Sequence, residues 1–357
     1  MDSPISPVSP EDKPFLRAVM GAPVAHHPFW LMRQAGRYLP EYRAIRAKAR
    51  DFVQLCLTPD LATEITLQPI RRFGMDAAIL FSDILLVPFS LGQELAFQEG
   101  EGPKLEPIRD RSGLTRLSEA LDFERLLPVY ETIRLVKQAL PPETALIGFA
   151  GAPWTLATYM VEGGSSRQFA AIGSWVSRDA DGFQVLIDRI TTAVTAHLDR
   201  QIAAGVEAVQ IFDSWAAAAL PHDLKRWVYE PTRRIVASLK ERWPAVPVIG
   251  FPKGIGTATA EYVRTTGVDM ISVDTTLPLD FARDTLQPLA AVQGSLDPEL
   301  LVTGGTAMKA AVERIVDTLG AGRFVFNLGH GVLQTTPPEH VAALAEQLRS
   351  LPVSRLG

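Results

Sequence analysis

Cysteine is all but missing: Cys56 is the one thiol in 357 residues. No intrachain disulfide can form, and no zinc site built from several cysteines is available. A reducing, cytoplasmic setting fits that usage. Long apolar runs are missing too; none reaches the ~18 residues of a membrane span. Positive charge is not in excess. With 35 Lys and Arg against 40 Asp and Glu, the formal net charge is -5. That excludes the broad basic footprint of a nucleic-acid binder. It leaves room for an anionic small molecule, because a few clustered arginines make a local positive site. The opening residues, Met1 to Pro14, hold Ser and Pro but no apolar stretch and no arginine. They read as a frayed arm rather than a targeting segment.

What is present is ordinary for a globular enzyme, 47% hydrophobic and 21% charged,. No Ser/Gly-rich linker divides the chain, so residues 15–357 predict one domain. Seven short segments are apolar almost throughout: Asp76–Phe81, Ala145–Ala150, Ala208–Phe212, Pro247–Phe251, Met270–Val273, Ala290–Gln293 and Arg323–Asn327. Continuous rather than alternating apolarity marks parallel strands covered on both faces. Between them run amphipathic stretches. Phe183, Leu186, Ile187, Ile190, Val194 and Leu198 form one stripe, stopped by Gly205; Met308 to Leu319 form another, stopped by Gly320,. Thr58-Pro59-Asp60 reads as a capped helix start, and 223–243 and 338–348 as further helices. Alternating strand and helix predicts a single-domain (β/α)8 TIM-type barrel, possibly distorted, with a doubly wound sheet as the other arrangement. Seven strands are one short of a barrel; Phe29–Met32 (FWLM) is the candidate for the eighth. Gln93–Pro107 reads as an inserted hairpin or flap.

Polar residues follow the carboxyl ends of these strands: Ser82 and Asp83, Trp154 and Tyr159, Asp213 and Ser214, Lys253, Asp274, Ser295 and His330. In a barrel those ends converge on one mouth, where active sites lie. The segment FWLMRQAGRYLPEYR carries Arg33, Arg37 and Arg43 around Gly36, with Arg46 close behind. Guanidinium forks match carboxylates, often bidentately. Such a cluster can grip a polycarboxylate; a solvated basic face, or pairing with Glu41, fits the same composition. Asp83 can be a working carboxylate or the cap of a helix starting near Ile84. Ser214 can line a cleft or cap a helix. The glycines of GFPKGIG around Lys253 fit neither the P-loop nor the dinucleotide fingerprint. His26-His27 reads as a surface pair, and Trp215, Trp227 and Tyr229 as packing or interface.

The wording of these segments resembles the uroporphyrinogen decarboxylase family. The arginine-rich block is similar to that family's N-terminal signature, and GFAGAPWTLATYMVEG at Gly148–Gly163 to its second. FSDIL at Phe81–Leu85, FDSWA at Phe212–Ala216 and NLGHG at Asn327–Gly331 agree as well, in the same order. Two positions depart, Ala217 for the family's usual Gly and Gln334 for a common Pro; both read as loop-shape positions rather than chemical groups.

The resemblance implies a cofactor-independent carboxy-lyase that turns the four acetate side chains of uroporphyrinogen III into methyls, in tetrapyrrole (heme or chlorophyll) biosynthesis. It implies no metal and no cofactor, and a homodimer. Asp83 would contact the pyrrole N–H groups, beside Phe81. Arg33 and Arg37 would act in catalysis and hold carboxylates, joined by Arg46. Tyr159, Ser214 and His330 would line the cleft, and Gln34, Ala35 and Gly36 would contact substrate through backbone groups. Two other readings compete. Methyltransferases of the same barrel type hold zinc with His and Cys, which one cysteine, remote from Asn327–Gly331, does not supply. A non-catalytic tetrapyrrole carrier would keep Arg33 and Arg37 but has no need of Asp83.

Overall fold

The computed structural model describes residues 12–98, 102–166 and 168–353. All seven expected strands form: β1 Ala77–Ile79, β4 Ala145–Gly151, β5 Ala208–Asp213, β6 Val248–Pro252, β7 Met270–Ser272, β8 Ala291–Leu296 and β9 Phe324–Leu328. They make one sheet in the order β1-β4-β5-β6-β7-β8-β9, parallel at every pairing. Neighbours in sequence are neighbours in the sheet, and helices run between them. The expected hairpin is present as antiparallel β2 Leu95–Gln98 and β3 Gly102–Leu105.

Both faces of the sheet are covered, which is why its strands tolerate unbroken apolar runs. Residues two apart, such as Ala77 and Ile79 or Ala145 and Ile147, join one core cluster with Trp30, Met32 and Phe15. The alternate residues, such as Ala78 and Leu146, join the larger cluster that the helices cover. A buried polar chain crosses the first cluster. Trp30 Nε1 donates to Gln293 Oε1 at 3.0 Å, and Gln293 Nε2 donates to Gln210 Oε1 at 2.8 Å. Gln210 lies on β5 and Gln293 on β8, strands that are not adjacent. Their direct bond requires the sheet to curl.

Phe29–Met32 does not form a regular strand. It lies between the two edge strands and bonds toward both. On the β9 side, Phe326 N donates to Pro28 O at 2.8 Å and Trp30 N to Phe326 O at 3.3 Å. Toward β1, Asp76 N donates to Phe29 O at 3.0 Å, and Phe29 N to Asp76 Oδ2 at 2.9 Å. Met32 N donates to the side-chain oxygen of Asn327 at 3.0 Å. Carboxylate and amide side chains take the place of ladder carbonyls.

The helices follow their stripes: Pro59–Phe73, Ala180–Ala204 closed by Gly205, Gly305–Leu319 closed by Gly320, and Pro338–Ser350. Three local readings are corrected. The Thr58 hydroxyl does not cap; it donates back to Gln54 O at 2.7 Å. The 223–243 stretch opens with a wide π turn, Lys225–Tyr229, before the α-helix Glu230–Arg242. That turn stands ahead of Pro231, which has no N–H to close a regular turn. His26-His27 is not a surface pair. His27 is buried against Pro352 O, and His26 Nε2 lies 2.6 Å from Asp76 Oδ1, which raises its pKa.

Most of the expected N-terminal arm lies outside the described residues, but its last two residues are structured. Pro14 opens the helix Pro14–Met20, and Lys13 is buried. The Lys13 ammonium donates to Thr144 O at 2.8 Å and to Glu207 Oε2 at 2.9 Å; Lys137 meets Glu207 Oε1 at 2.7 Å. Removing one member strands buried charge on the others. Glu207→Ala is expected to destabilise the protein by about 3–5 kcal/mol, read from urea unfolding. A loss under about 1 kcal/mol would place the pair in the weak class of exposed ion pairs.

Candidate active site

The arginine segment leaves the sheet edge at Met32 and turns sharply. Arg33 has φ 61°, a left-handed conformation that costs a residue with a Cβ about 1 kcal/mol. Gln34 holds the turn in place. Its side chain accepts from Leu31 N at 3.0 Å and donates to Ala77 O at 3.1 Å. Its N–H donates to Leu31 O at 2.9 Å, and its carbonyl accepts from the Tyr38 hydroxyl at 2.8 Å. Gln34 is thus anchored within the fold through both its backbone and its side chain. Arg43 is structural as well, donating to Arg37 O at 2.8 Å and Tyr38 O at 3.1 Å. Ala35 and Gly36 are half-buried on the same turn.

Arg33 itself stays exposed, with no hydrogen bond or ion pair among the described residues. Its stem lies along Gly331, where a Cβ would collide with it. That close approach explains the glycine after His330. Asp83 stands past the end of β1, half-buried. One oxygen, Oδ1, accepts from Leu85 N at 2.8 Å, so the local turn uses part of the carboxylate and leaves the rest open. Desolvation pushes its pKa up to about 6, against the bond from Leu85 and the positive charge of Arg33. Arg33 and Asp83 therefore share one electrostatic environment. Tyr159, half-buried on the helix Pro153–Glu162, feels both; burial first, then Asp83, holds its phenol up, while Arg33 pulls it down. Its ring lies 6.1 Å from that of Trp215.

His330 follows β9 and is half-buried. Burial first, then Arg33 and Lys253, push its pKa down to about 4, against Asp274. At neutral pH it is an uncharged imidazole, able to donate one N–H and unsuited to deliver a proton. Ser214 is half-buried after β5 and caps no helix; the following 3₁₀ turn starts after Trp215 without a side-chain cap. Phe81 is buried beneath the site, edge-on to Tyr42 at 5.8 Å and Phe52 at 5.9 Å.

The other arginines stand further out. Arg37 is exposed, and its Nη1 lies 3.4 Å from Gln334 Oε1. Gln334 is thus a chemical group at the site, not only a loop-shape residue. Arg46 turns back on its own loop, donating to Ala49 O at 3.4 Å. The packing readings hold for Trp227 and Tyr229, which are buried, while Trp215 is half-buried beside Tyr159. Sequence reasoning left Lys253, Asp274 and Gln334 out of the site; the first two were visible only as polar residues after strands. Among the described residues, no group of three or more His, Cys, Asp or Glu is arranged to hold a metal ion. Among the described residues, no helix is long and apolar enough to cross a membrane.

A desolvated carboxyl that feels an unpaired guanidinium is equipment suited to an enzyme for an anionic substrate that gains positive charge as it reacts. Comparison with known proteins agrees. The family model described as uroporphyrinogen decarboxylase (URO-D) matches residues 10–351. A uroporphyrinogen decarboxylase of Rhodospirillum rubrum is 53% identical, covering 96% of this chain and 98% of its own length. One of Paracoccus denitrificans is 49% identical, covering 95% and 99%. The chain belongs to the uroporphyrinogen decarboxylase family. Among solved structures, a methyltransferase from Methanosarcina mazei aligns with TM-score 0.77 over 95% of this chain and 98% of its own, at 17% identity. At that identity the likeness speaks for the fold alone.

Proposed function

We propose that this chain removes carbon dioxide from the four acetate side chains of uroporphyrinogen III, giving coproporphyrinogen III. The observation that supports the reading is the desolvated carboxyl of Asp83 within the electrostatic reach of the unpaired Arg33, in a chain of this family. Residues 15–357 are read as one domain, a (β/α)8 barrel whose irregular eighth stave is Phe29–Met32. Its bonds toward both edge strands and the Gln210–Gln293 link support that closure. The site then lies at the carboxyl-end mouth. A cytoplasmic setting, a homodimer and a place in heme or chlorophyll biosynthesis belong to the same reading.

Loss of carbon dioxide from an acetate leaves an electron pair that needs a destination. Protonation of a pyrrole ring carbon makes the ring that destination. The carbon–carboxylate bond then breaks, its electrons enter the cationic ring, the exocyclic carbon takes a proton to become a methyl, and the ring carbon gives its proton back. The net change is one proton taken up for each carbon dioxide released. Asp83 accepts pyrrole N–H bonds in the ground state and is worth more once the ring is cationic; that excess lowers the barrier. Arg33 and Arg37 hold side-chain carboxylates. Neutral His330, Tyr159 and Ser214 supply uncharged donors.

The test is anaerobic incubation with uroporphyrinogen III in metal-free buffer, followed by oxidation and chromatography of the porphyrins. Coproporphyrin III is the expected product. Recovery of the octacarboxylate alone would overturn the reading and return the tetrapyrrole carrier to first place.

A further inference from the structure

Lys253 is the most conspicuous charged group that this reading leaves unused. It follows β6, and its backbone is pinned on three sides. Lys253 N donates to Asp213 O at 3.1 Å, Ala217 N donates to Lys253 O at 3.3 Å, and the next amide, Gly254 N, donates to Asp274 Oδ2 at 2.7 Å. Gly254 has φ +81°, and a Cβ there would come 2.9 Å from that of Ala217. The loop is therefore tightly packed, yet its lysine side chain is half-buried with no ion pair or hydrogen bond among the described residues.

Lys253 lines a cavity of about 280 Å³ that His330, Gly329 and Thr276 also line. Three carboxylates border the same cavity, Asp274, Asp297 and Glu299. Asp274 makes no ion pair with the lysine. Its Oδ1 accepts from Thr276 N at 2.8 Å and Thr276 Oγ1 at 2.5 Å, while its Oδ2 holds Gly254 N. Asp297 is spent in part on Glu299 N at 2.9 Å, and both are exposed at the rim. His330 relates this cavity to Arg33: it lines the cavity, and the Arg33 stem packs against the next residue, Gly331. An unpaired, half-desolvated ammonium on a rigid loop is primed for an anion.

We propose that Lys253, with His330, forms a second carboxylate subsite that holds a side chain of the macrocycle on the β6–β9 side of the mouth. The arginines of residues 33–37 hold the other side. A polycarboxylate then bridges two cationic anchors and must be gripped on both sides to be held in register.

The inference rests on the decarboxylase reading, so its test runs beside the wild-type assay. Lys253→Met is expected to raise KM for uroporphyrinogen III about tenfold or more while changing kcat by less than about threefold. Lys253→Arg, which keeps the charge, is expected to retain most of the wild-type affinity. A Lys253→Met enzyme whose KM stays within about twofold of wild type would overturn the subsite, as would equal impairment of the Met and Arg variants, which marks a structural role. Wild-type enzyme that fails to turn over uroporphyrinogen sinks the decarboxylase reading instead. Should Lys253→Met not fold, brief acetylation of the wild type decides. Excess uroporphyrinogen III should protect Lys253 but not exposed Lys309, and an unprotected Lys253 overturns the proposal.

Discussion

Replacing Asp83 by Asn is expected to cut kcat by about 10²–10³ while leaving product binding nearly unchanged. The amide keeps the size of the carboxylate and one oxygen for the Leu85 N–H, so the local turn survives. It loses the negative charge, whose value rises only when the ring becomes cationic. The wild-type enzyme should show the same dependence as a pH limb. The carboxyl is pushed up to about 6 by burial, so activity of the free enzyme should fall as pH drops through that value. Stability runs the other way. Below pH 3.8 the group is neutral in both folded and unfolded chains. Between 3.8 and about 6 the unfolded chain gives up its proton while the folded chain keeps it, so stability falls as pH rises through that window,. Above about 6 the full cost of the desolvated charge is present. Asp83→Asn should therefore be more stable than wild type at pH 7, by about 1–2 kcal/mol once partial exposure is allowed for. Slower turnover combined with greater stability distinguishes a charged catalytic group from a helix cap, whose loss lowers both. Unchanged turnover would remove Asp83 from the mechanism.

What the sequence disclosed, and what it hid, follows from how each feature is built. The seven strands were legible because parallel strands covered on both faces leave unbroken apolar runs such as Ala145–Gly151,. Phe29–Met32 was legible as a candidate eighth strand, but not its irregularity, because its bonds go to the side chains of Asp76 and Asn327 as well as to backbone. No periodicity encodes a carboxylate standing in for a ladder carbonyl. Gln34 and Arg43 share the segment of Arg33 and Arg37, yet they hold the turn that presents the others. Spacing cannot separate the presenter from the presented. That residues 83, 253 and 330 all follow strand ends was legible, and the family resemblance singled out 33, 83 and 330; that Arg33 acts on both Asp83 and His330 depends on the folded chain. Lys253 escaped because its glycine-flanked loop was weighed as a phosphate motif, which asks about backbone amides. The structure shows those glycines serving the loop's packing, with the side chain left over.

Arg33 and Arg37 look alike in sequence but sit differently, and their variants should separate. Arg33 lowers the pKa of Asp83 and packs on Gly331; Arg37 stands at the rim against Gln334. Arg33→Met removes a carboxylate anchor and also the positive charge that opposes desolvation of Asp83. Its KM should rise roughly 10- to 100-fold, the range for a lost charge-assisted hydrogen bond. Its acid limb should also move to higher pH than in wild type, because a carboxyl without its neighbouring cation holds its proton longer. Arg37→Ala should show the weaker affinity alone, with the limb unmoved. It should release partly decarboxylated porphyrinogens, since an intermediate held by one fewer rim contact escapes before its next acetate is presented. Measuring pH–rate profiles for both variants, with chromatography of the oxidised porphyrins, tests the pairing directly. A shifted limb in Arg37→Ala, or an unshifted one in Arg33→Met, would show that the guanidinium governing Asp83 had been assigned to the wrong arginine.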